Sequence, residues 1–224
     1  MGKITYLLMF ISISLCAQSF EGAYKFIDDE THGLWLFKDG YSMQTIYKDS
    51  VYIRTNGGPF DIHKNLLTVY ITFDDVLEQK IGSKQETRLI FEGANFIDDE
   101  GRIWIKQPTI ESDLSGTYRI TGRYNNGKFS PINHTGSRMT LKILVDGYFQ
   151  WIAFDSDKKE FFGTGGGDYS FQDGKYTEHL LFFSRDNSRV GATLEFNGEI
   201  DENDWHHKGK SSKGEPLHEV WTRL

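Results

Sequence analysis

The sequence predicts an all-β chain made of two tandem, related units of antiparallel strands. Three observations carry this expectation. Apolar and polar residues alternate with period two in short segments, Gly, Asn or Asp ends each segment, and the segments of the first half return in the same order in the second. Period-two alternation places one face of a strand on a core, and Gly, Asn and Asp provide the positive φ angles of tight hairpin turns.

The chain has 224 residues. Lys3 precedes an apolar run from Ile4 to Leu15, followed by Cys16-Ala17-Gln18. A basic start, about a dozen apolar residues and a small exit residue read as a secretory signal over residues 1–17, too short for a membrane span of ~20 residues. The bulky Leu15 before Cys16 fits a lipid-anchor site poorly. Cleavage after Ala17 would remove Cys16, the single cysteine. The mature chain would then have no disulfide, thiol nucleophile or cysteine-based zinc site.

The period-two segments are Tyr41–Tyr47, Leu66–Phe73, Thr87–Phe91, Thr140–Val145, Phe149–Phe154, Tyr176–Phe183, Thr193–Ile200 and His218–Leu224. Asp39-Gly40, Asn56-Gly57-Gly58, Asn126-Gly127, Asp146-Gly147 and Asp173-Gly174 read as the turns. No stretch after residue 20 keeps a 3.6-residue period for three turns, so a barrel or sandwich is expected. An aromatic share of 15% suits half-buried pleated surfaces.

Four echoes define the repeat. Phe20–Lys25 returns as Leu114–Arg119, and Asp39–Gln44 as Asp146–Trp151. Thr55–Gly58 returns as Thr164–Gly167; Ile81-Gly82 with Leu89-Ile90-Phe91 returns as Val190-Gly191 with Leu194-Glu195-Phe196. The units are placed at residues 18–107 and 114–224, with the boundary in the polar, proline-marked stretch 108–113. The first unit reads as degenerate, lacking a hairpin near its end.

In the second unit, Leu114–Tyr118, Asp146–Trp151 and Gly165–Tyr169 are followed by Tyr176-Thr177-Glu178, Trp205–Gly209 and Glu219–Arg223. In this order they resemble the secreted bacterial lipocalin-like domains catalogued as a family of unknown function. The first unit is a weaker relative, with Ile103-Trp104-Ile105 in place of Trp205-His206-His207 and no histidine there. The resemblance implies two tandem lipocalin-like antiparallel barrels, each with a cavity at its mouth, and a site in the second. Some members resemble products of bacterial polysaccharide-breakdown loci, and oligosaccharide dehydration is associated with such proteins.

The net charge of −7 argues against nucleic acid as a partner. Strand alternation puts Phe149 with Trp151, Tyr176 with Glu178, Trp205 with His207, and Glu219 with Trp221 on shared faces. Facing inward, these would line a cavity with two carboxylates, an imidazole and aromatic rings, a lining that suits a sugar. His207, Glu178, Glu219 and Tyr176 are the candidates for acid–base work. Trp151, Trp205, Trp221 and Tyr169 are candidates for sugar stacking, and Arg138, Arg185 and Arg189 for neutralising an acidic ligand.

His179, His206 and His218 fall on the opposite faces. They lack the close ligand spacing of a zinc site, and no metal or other cofactor is assigned. Gly163–Gly167 lacks the Gly-Lys-Ser/Thr of a phosphate loop and reads as a flexible hairpin. Asp98-Asp99-Glu100 and Asp201–Asp204 read as solvated turns, and no Gly-x-Ser-x-Gly elbow is present.

Three functional expectations follow. The first is an exported protein acting on uronate-containing oligosaccharides by cofactor-free elimination of water. The second is a non-catalytic barrel binding a sugar or small apolar ligand. The third is a structural envelope protein whose first unit supports the second.

Overall fold

The computed structural model describes residues 20–210 and 214–224; the expected signal segment, 1–17, lies outside the described residues. The first unit contains β1 (Gly22–Asp28), β2 (Thr31–Lys38), β3 (Tyr41–Lys48), β4 (Val51–His63), β5 (Leu66–Tyr70), β6 (Phe73–Asp74), β7 (Lys84–Arg88), β8 (Ile90–Glu92), β9 (Asn95–Ile97) and β10 (Ile103–Lys106). The second contains β11 (Gly116–Asn125), β12 (Lys128–Pro131), β13 (Arg138–Val145), β14 (Tyr148–Asp155), β15 (Glu160–Gln172), β16 (Lys175–Phe183), β17 (Thr193–Asp201), β18 (Asp204–Lys210) and β19 (Pro216–Arg223). A single-turn 3-10 helix precedes β7, at Glu78–Lys80, and another precedes β17, at Asn187–Arg189.

In the second unit the order β11-β13-β14-β15-β16-β17-β18-β19 returns to β11 and closes an eight-stranded antiparallel barrel, with β12 as a hairpin arm. The first unit repeats the path as β1-β2-β3-β4-β5-β7 on one side and β10-β9-β8 on the other. Only Leu89 separates β7 from β8, so this ring is nearly closed. Up-and-down closure of eight strands is the lipocalin type of barrel. The chain is all-β, with two such units in tandem, as the sequence predicts.

Hairpin chemistry is where the alternation placed it. Asp39-Gly40, Asn126-Gly127, Asp146-Gly147 and Asp173-Gly174 all have positive φ at both residues, the requirement of a type I′ turn matched to strand twist. Two glycine runs differ from their sequence reading. Asn56-Gly57-Gly58 is not a turn and Gly163–Gly167 is not a hairpin; each run lies inside a 13-residue strand, β4 or β15. A Cβ on Gly58 would overlap the Tyr70 carbonyl, and one on Gly167 would overlap the His179 carbonyl. The glycines let the long strand bend against its neighbour, and the ladder shifts register at Gly166/Gly167.

The pairing registers fix which residues correspond between units. Tyr24 lies opposite Trp35 and Lys106, and Tyr118 lies opposite Lys142 and Arg223. Trp104 pairs with Phe96, and Trp221 with Trp205. The counterpart of Trp205 is therefore Phe96, and Trp104 matches Trp221, not Trp205. The hairpin expected to be missing from the end of the first unit is present as β9–β10, but strands of three and four residues are too short to show alternation. What the first unit lacks is an arm like β11–β12. The fourth echo holds for its glycines only. Lys84 pairs with Tyr70 and Thr193 with His179, which displaces Leu89–Phe91 from Leu194–Phe196.

Each barrel has its own interior cluster, around Trp35, Phe96 and Trp104 in the first and Tyr176, Trp205 and Trp221 in the second. A third cluster joins them: Leu34, Leu36 and Met43 pack with Leu141, Ile143, Ile152 and Phe154. Strands β2, β3, β13 and β14 are thus buried on both faces, which explains the near-continuous apolar runs Leu34–Phe37 and Leu141–Val145. Polar bonds across the joint are reciprocal. The Thr117 amide donates to Asp39 Oδ2 at 2.8 Å, and the Ala23 amide donates to Asp146 Oδ2 at 3.0 Å. The buried Gln150 amide donates to Thr55 Oγ1 and Thr164 Oγ1 at 2.9 and 3.0 Å, one from each unit. The two units share a core.

Candidate functional site

The second barrel opens into a cavity of about 390 Å³. Its depth is built by side chains that alternation turns inward from β13, β16, β18 and β19. Lys142 reaches across the barrel to Glu178, with Nζ to Oε1 at 2.9 Å and both side chains almost fully buried. The Tyr176 hydroxyl donates to the same oxygen at 2.9 Å. The Lys142 ammonium also lies 5.1–5.6 Å from the ring centres of Phe149, Tyr176, Trp205 and Trp221. These are cation–π distances.

His207 lies beside this pair, stacked on Trp205 with ring centres 4.9 Å apart and edge-on to Phe196 at 4.1 Å. It is buried at 4% exposure and lines the cavity. Neither ring nitrogen has a hydrogen-bond partner among the described residues. Glu219 Oε2 is 3.7 Å from Nδ1, an electrostatic contact beyond hydrogen-bond length. Burial holds the imidazole below its ordinary range, and the nearby Lys142 charge adds to this against the pull of Glu219 and Glu178.

Glu219 is fixed from two sides. Trp221 Nε1 donates to Oε2 at 3.1 Å, and Arg123 reaches Oε1 at 3.2 Å. Burial works to raise this carboxyl, but His207, Lys142 and Arg123 together bring it below the usual glutamate range. It is a carboxylate at neutral pH.

The mouth is cationic. Arg138 lies over the Phe162 ring at 4.3 Å, and Arg185 Nε donates to the Phe162 carbonyl at 2.8 Å with its guanidinium 5.8 Å from Trp151. With Arg123 these are exposed arginines on the cavity wall. Arg123, Arg138, Lys142 and Arg185 face Glu178 and Glu219, a net positive lining in a chain whose net charge is −7.

Of the residues expected from sequence, His207, Glu178, Glu219, Trp151, Trp221, Arg138 and Arg185 line this one cavity. Four others do not. Tyr176 is fully enclosed behind Glu178, and burial and that carboxylate push its phenol well above the ordinary value, which removes it as a base near neutrality. Trp205 is the wall behind His207. Tyr169 packs on Tyr176 deeper in the barrel, and Arg189 lies on the 3-10 turn outside the cavity. Lys142 and Arg123 were missed by the sequence reading. Lys142 had a signal: a lysine at an inward position of the apolar run Leu141–Val145.

On the outer faces, His206 Nδ1 and His218 Nε2 are 3.0 Å apart, while His179 pairs with Asp168 at 3.2 Å. The three do not meet, and no group of three metal-ligating side chains forms among the described residues. No described helix is long and apolar enough to cross a membrane.

The first barrel has the same positions with different contents. Register places Trp35 where Lys142 stands, Val69 at Glu178, Leu67 at Tyr176 and Asp98 at His207. Trp35, Val69 and Leu67 are buried in an apolar cluster. Asp98 is saturated by the Glu100 and Arg102 amides, Arg102 Nε and Trp104 Nε1.

No protein-family model and no curated protein matches the chain. Among solved structures, it is similar to a lipocalin-like protein from Bacteroides uniformis, at 15% identity and a TM-score of 0.36, covering 50% of this chain and all of that one.

Proposed function

We propose that the second barrel binds a small carboxylated ligand, a uronate-type sugar, and that the first barrel is its support. The buried Lys142–Glu178 pair is the observation that carries this reading. Replacing a buried ion pair with well-packed apolar residues is commonly neutral or stabilising by ~1–4 kcal/mol. The first barrel contains that replacement, Trp35 and Val69, in the same fold. Stability alone therefore gives no reason to keep charges in the second. The net positive lining suits an anion, Arg138 and Arg185 present forked donors for a carboxylate, and Trp151 and Trp221 add aromatic surface to the lining. Titration calorimetry with uronate and neutral oligosaccharides tests it: uronates bind, neutral sugars of the same size do not.

A second reading, elimination of water from the bound uronate, rests on His207. A neutral imidazole with unfilled nitrogens on the cavity wall can take the proton from the carbon beside the carboxylate. The electron pair forms the new C=C bond, the adjacent C–O bond breaks, and the hydroxyl leaves as water with a proton from the Lys142 ammonium. The arginines offset the charge that builds on the ligand carboxylate. Glu219 is held ionised and is not the acid. A new ultraviolet absorbance and the loss of one water by mass are the readouts. Export, on the N-terminal apolar run, and a place in polysaccharide breakdown belong to this proposal.

A further inference from the structure

We infer that the cavity reads the terminal residue of an acidic oligosaccharide, with the hydroxyl-rich chain tip held by Lys142 and His207 and an anionic group at the arginine mouth. This rests on the carboxylated-sugar reading and specifies how such a ligand sits.

All eight strands pair around the ring, including β11 with β19; at the mouth the β11–β13 pairing has ended, since it covers Gly116–Arg119 with Leu141–Leu144 and leaves Arg138–Thr140 unpaired on that side. Beyond the cavity the barrel is filled by Tyr118, Phe149, Tyr176 and Trp205, all at 2% exposure or less. The cavity is closed at its floor, so a polysaccharide cannot thread through it past Lys142 and His207. Its volume of about 390 Å³ is near the lower end of the ~300–1,000 Å³ typical of small-ligand pockets, enough for a chain end.

Unfilled polar groups lie at two levels of the cavity. At the bottom, His207 is buried with Nε2 lacking a partner and Nδ1 only in the 3.7 Å contact with Glu219, and Lys142 donates one hydrogen bond, to Glu178, of the three its ammonium can make. Buried polar groups are normally satisfied, and an exception marks a place for a partner. At the mouth, Arg138 and Arg185 are exposed and anchored through Phe162. Polar groups at two levels, with Lys142 already paired and Glu219 ionised at the floor and arginines at the mouth, fit a ligand carrying a hydroxyl-rich tip and an acid one residue behind it. A monosaccharide would satisfy only one level.

Three probe series test this: oligogalacturonates, oligomannuronates and oligoglucuronates, each as monomer, dimer, trimer, hexamer and polymer, titrated calorimetrically into the intact chain. In the series that binds, affinity should rise at least tenfold from monomer to dimer, then stay level per mole of chain ends, with one protein per end at every length. His207→Gln should weaken dimer and polymer by the same factor. Reduction of the reducing end with borohydride then shows which end enters. Stoichiometry rising with chain length, several proteins along each polymer, would overturn the chain-end inference while leaving the carboxylated-sugar reading intact. Failure of every member of all three series to bind would remove that reading and this inference together.

Discussion

Lys142 and Trp35 occupy the same position in the two barrels, each opposite the tyrosine that opens its unit, Tyr118 or Tyr24. One is an ammonium bonded to Glu178; the other is a tryptophan edge-on to Trp104 with ring centres 5.1 Å apart. The same scaffold thus tolerates a charged or an apolar filling at this position, and the difference separates a hollow barrel from a packed one.

Lys142→Met alone should destabilise the chain by about 3–5 kcal/mol, because it leaves Glu178 buried without its counter-charge. Lys142→Met with Glu178→Leu should recover wild-type stability or exceed it. Urea unfolding of the two variants checks the contrast. A double variant no more stable than the single one would show that the pair is structural.

The joint between the units should prove obligatory. Residues 114–224 expressed alone would expose Leu141, Ile143, Ile152 and Phe154, which now pack on the first unit. The expected outcome is an aggregating fragment, read by sedimentation. Asp39→Ala should cost about 1–3 kcal/mol, the penalty for leaving the Thr117 amide without its acceptor.

Acid should weaken the fold, and His207 should account for part of the loss. Its folded-state value lies below the ordinary one, so near pH 6.5 the unfolded chain binds a proton that the folded chain refuses. The associated stability is complete above about pH 6.5 and declines as pH falls below it. Glu219 acts in the same direction at lower pH: its stabilisation is present above about pH 4.3 and is lost as pH falls through its depressed folded-state value. His207→Gln should flatten the stability profile between about pH 7.5 and 5.5, and a profile parallel to wild type would contradict this.

Gly58→Ala and Gly167→Ala should each unfold the chain or cost at least about 4 kcal/mol, since the methyl group meets a backbone carbonyl that cannot withdraw. Gly127→Ala, at positive φ in a turn with nothing near it, should cost about 1 kcal/mol. Thermal melts of the three variants give the comparison.

Strand identity and the inward faces of the second barrel were legible because a period of two needs only five or six residues to declare itself. Phe149, Tyr176, Trp205 and Trp221 are interior for that reason. Gly58 and Gly167 misled because a glycine that admits a neighbouring backbone looks in sequence like one that makes a turn. Lys142 and Arg123 escaped notice because their partners come from strands distant in sequence, at Glu178 and Glu219. The joint was hidden for a similar reason: strands buried on both faces lose alternation, and Thr140–Val145, read in sequence as period two, is buried without a break from Leu141 to Val145, a pattern that does not name what covers the second face.

The most direct test of the account is titration of the uronate oligomers into the wild-type chain and into the variant carrying both Lys142→Met and Glu178→Leu. The account expects uronate binding to wild type, no binding of neutral oligosaccharides of equal length, and at least a tenfold loss in a double variant that is folded and as stable as wild type. Equal binding of acidic and neutral sugars, or full affinity in the double variant, would contradict it.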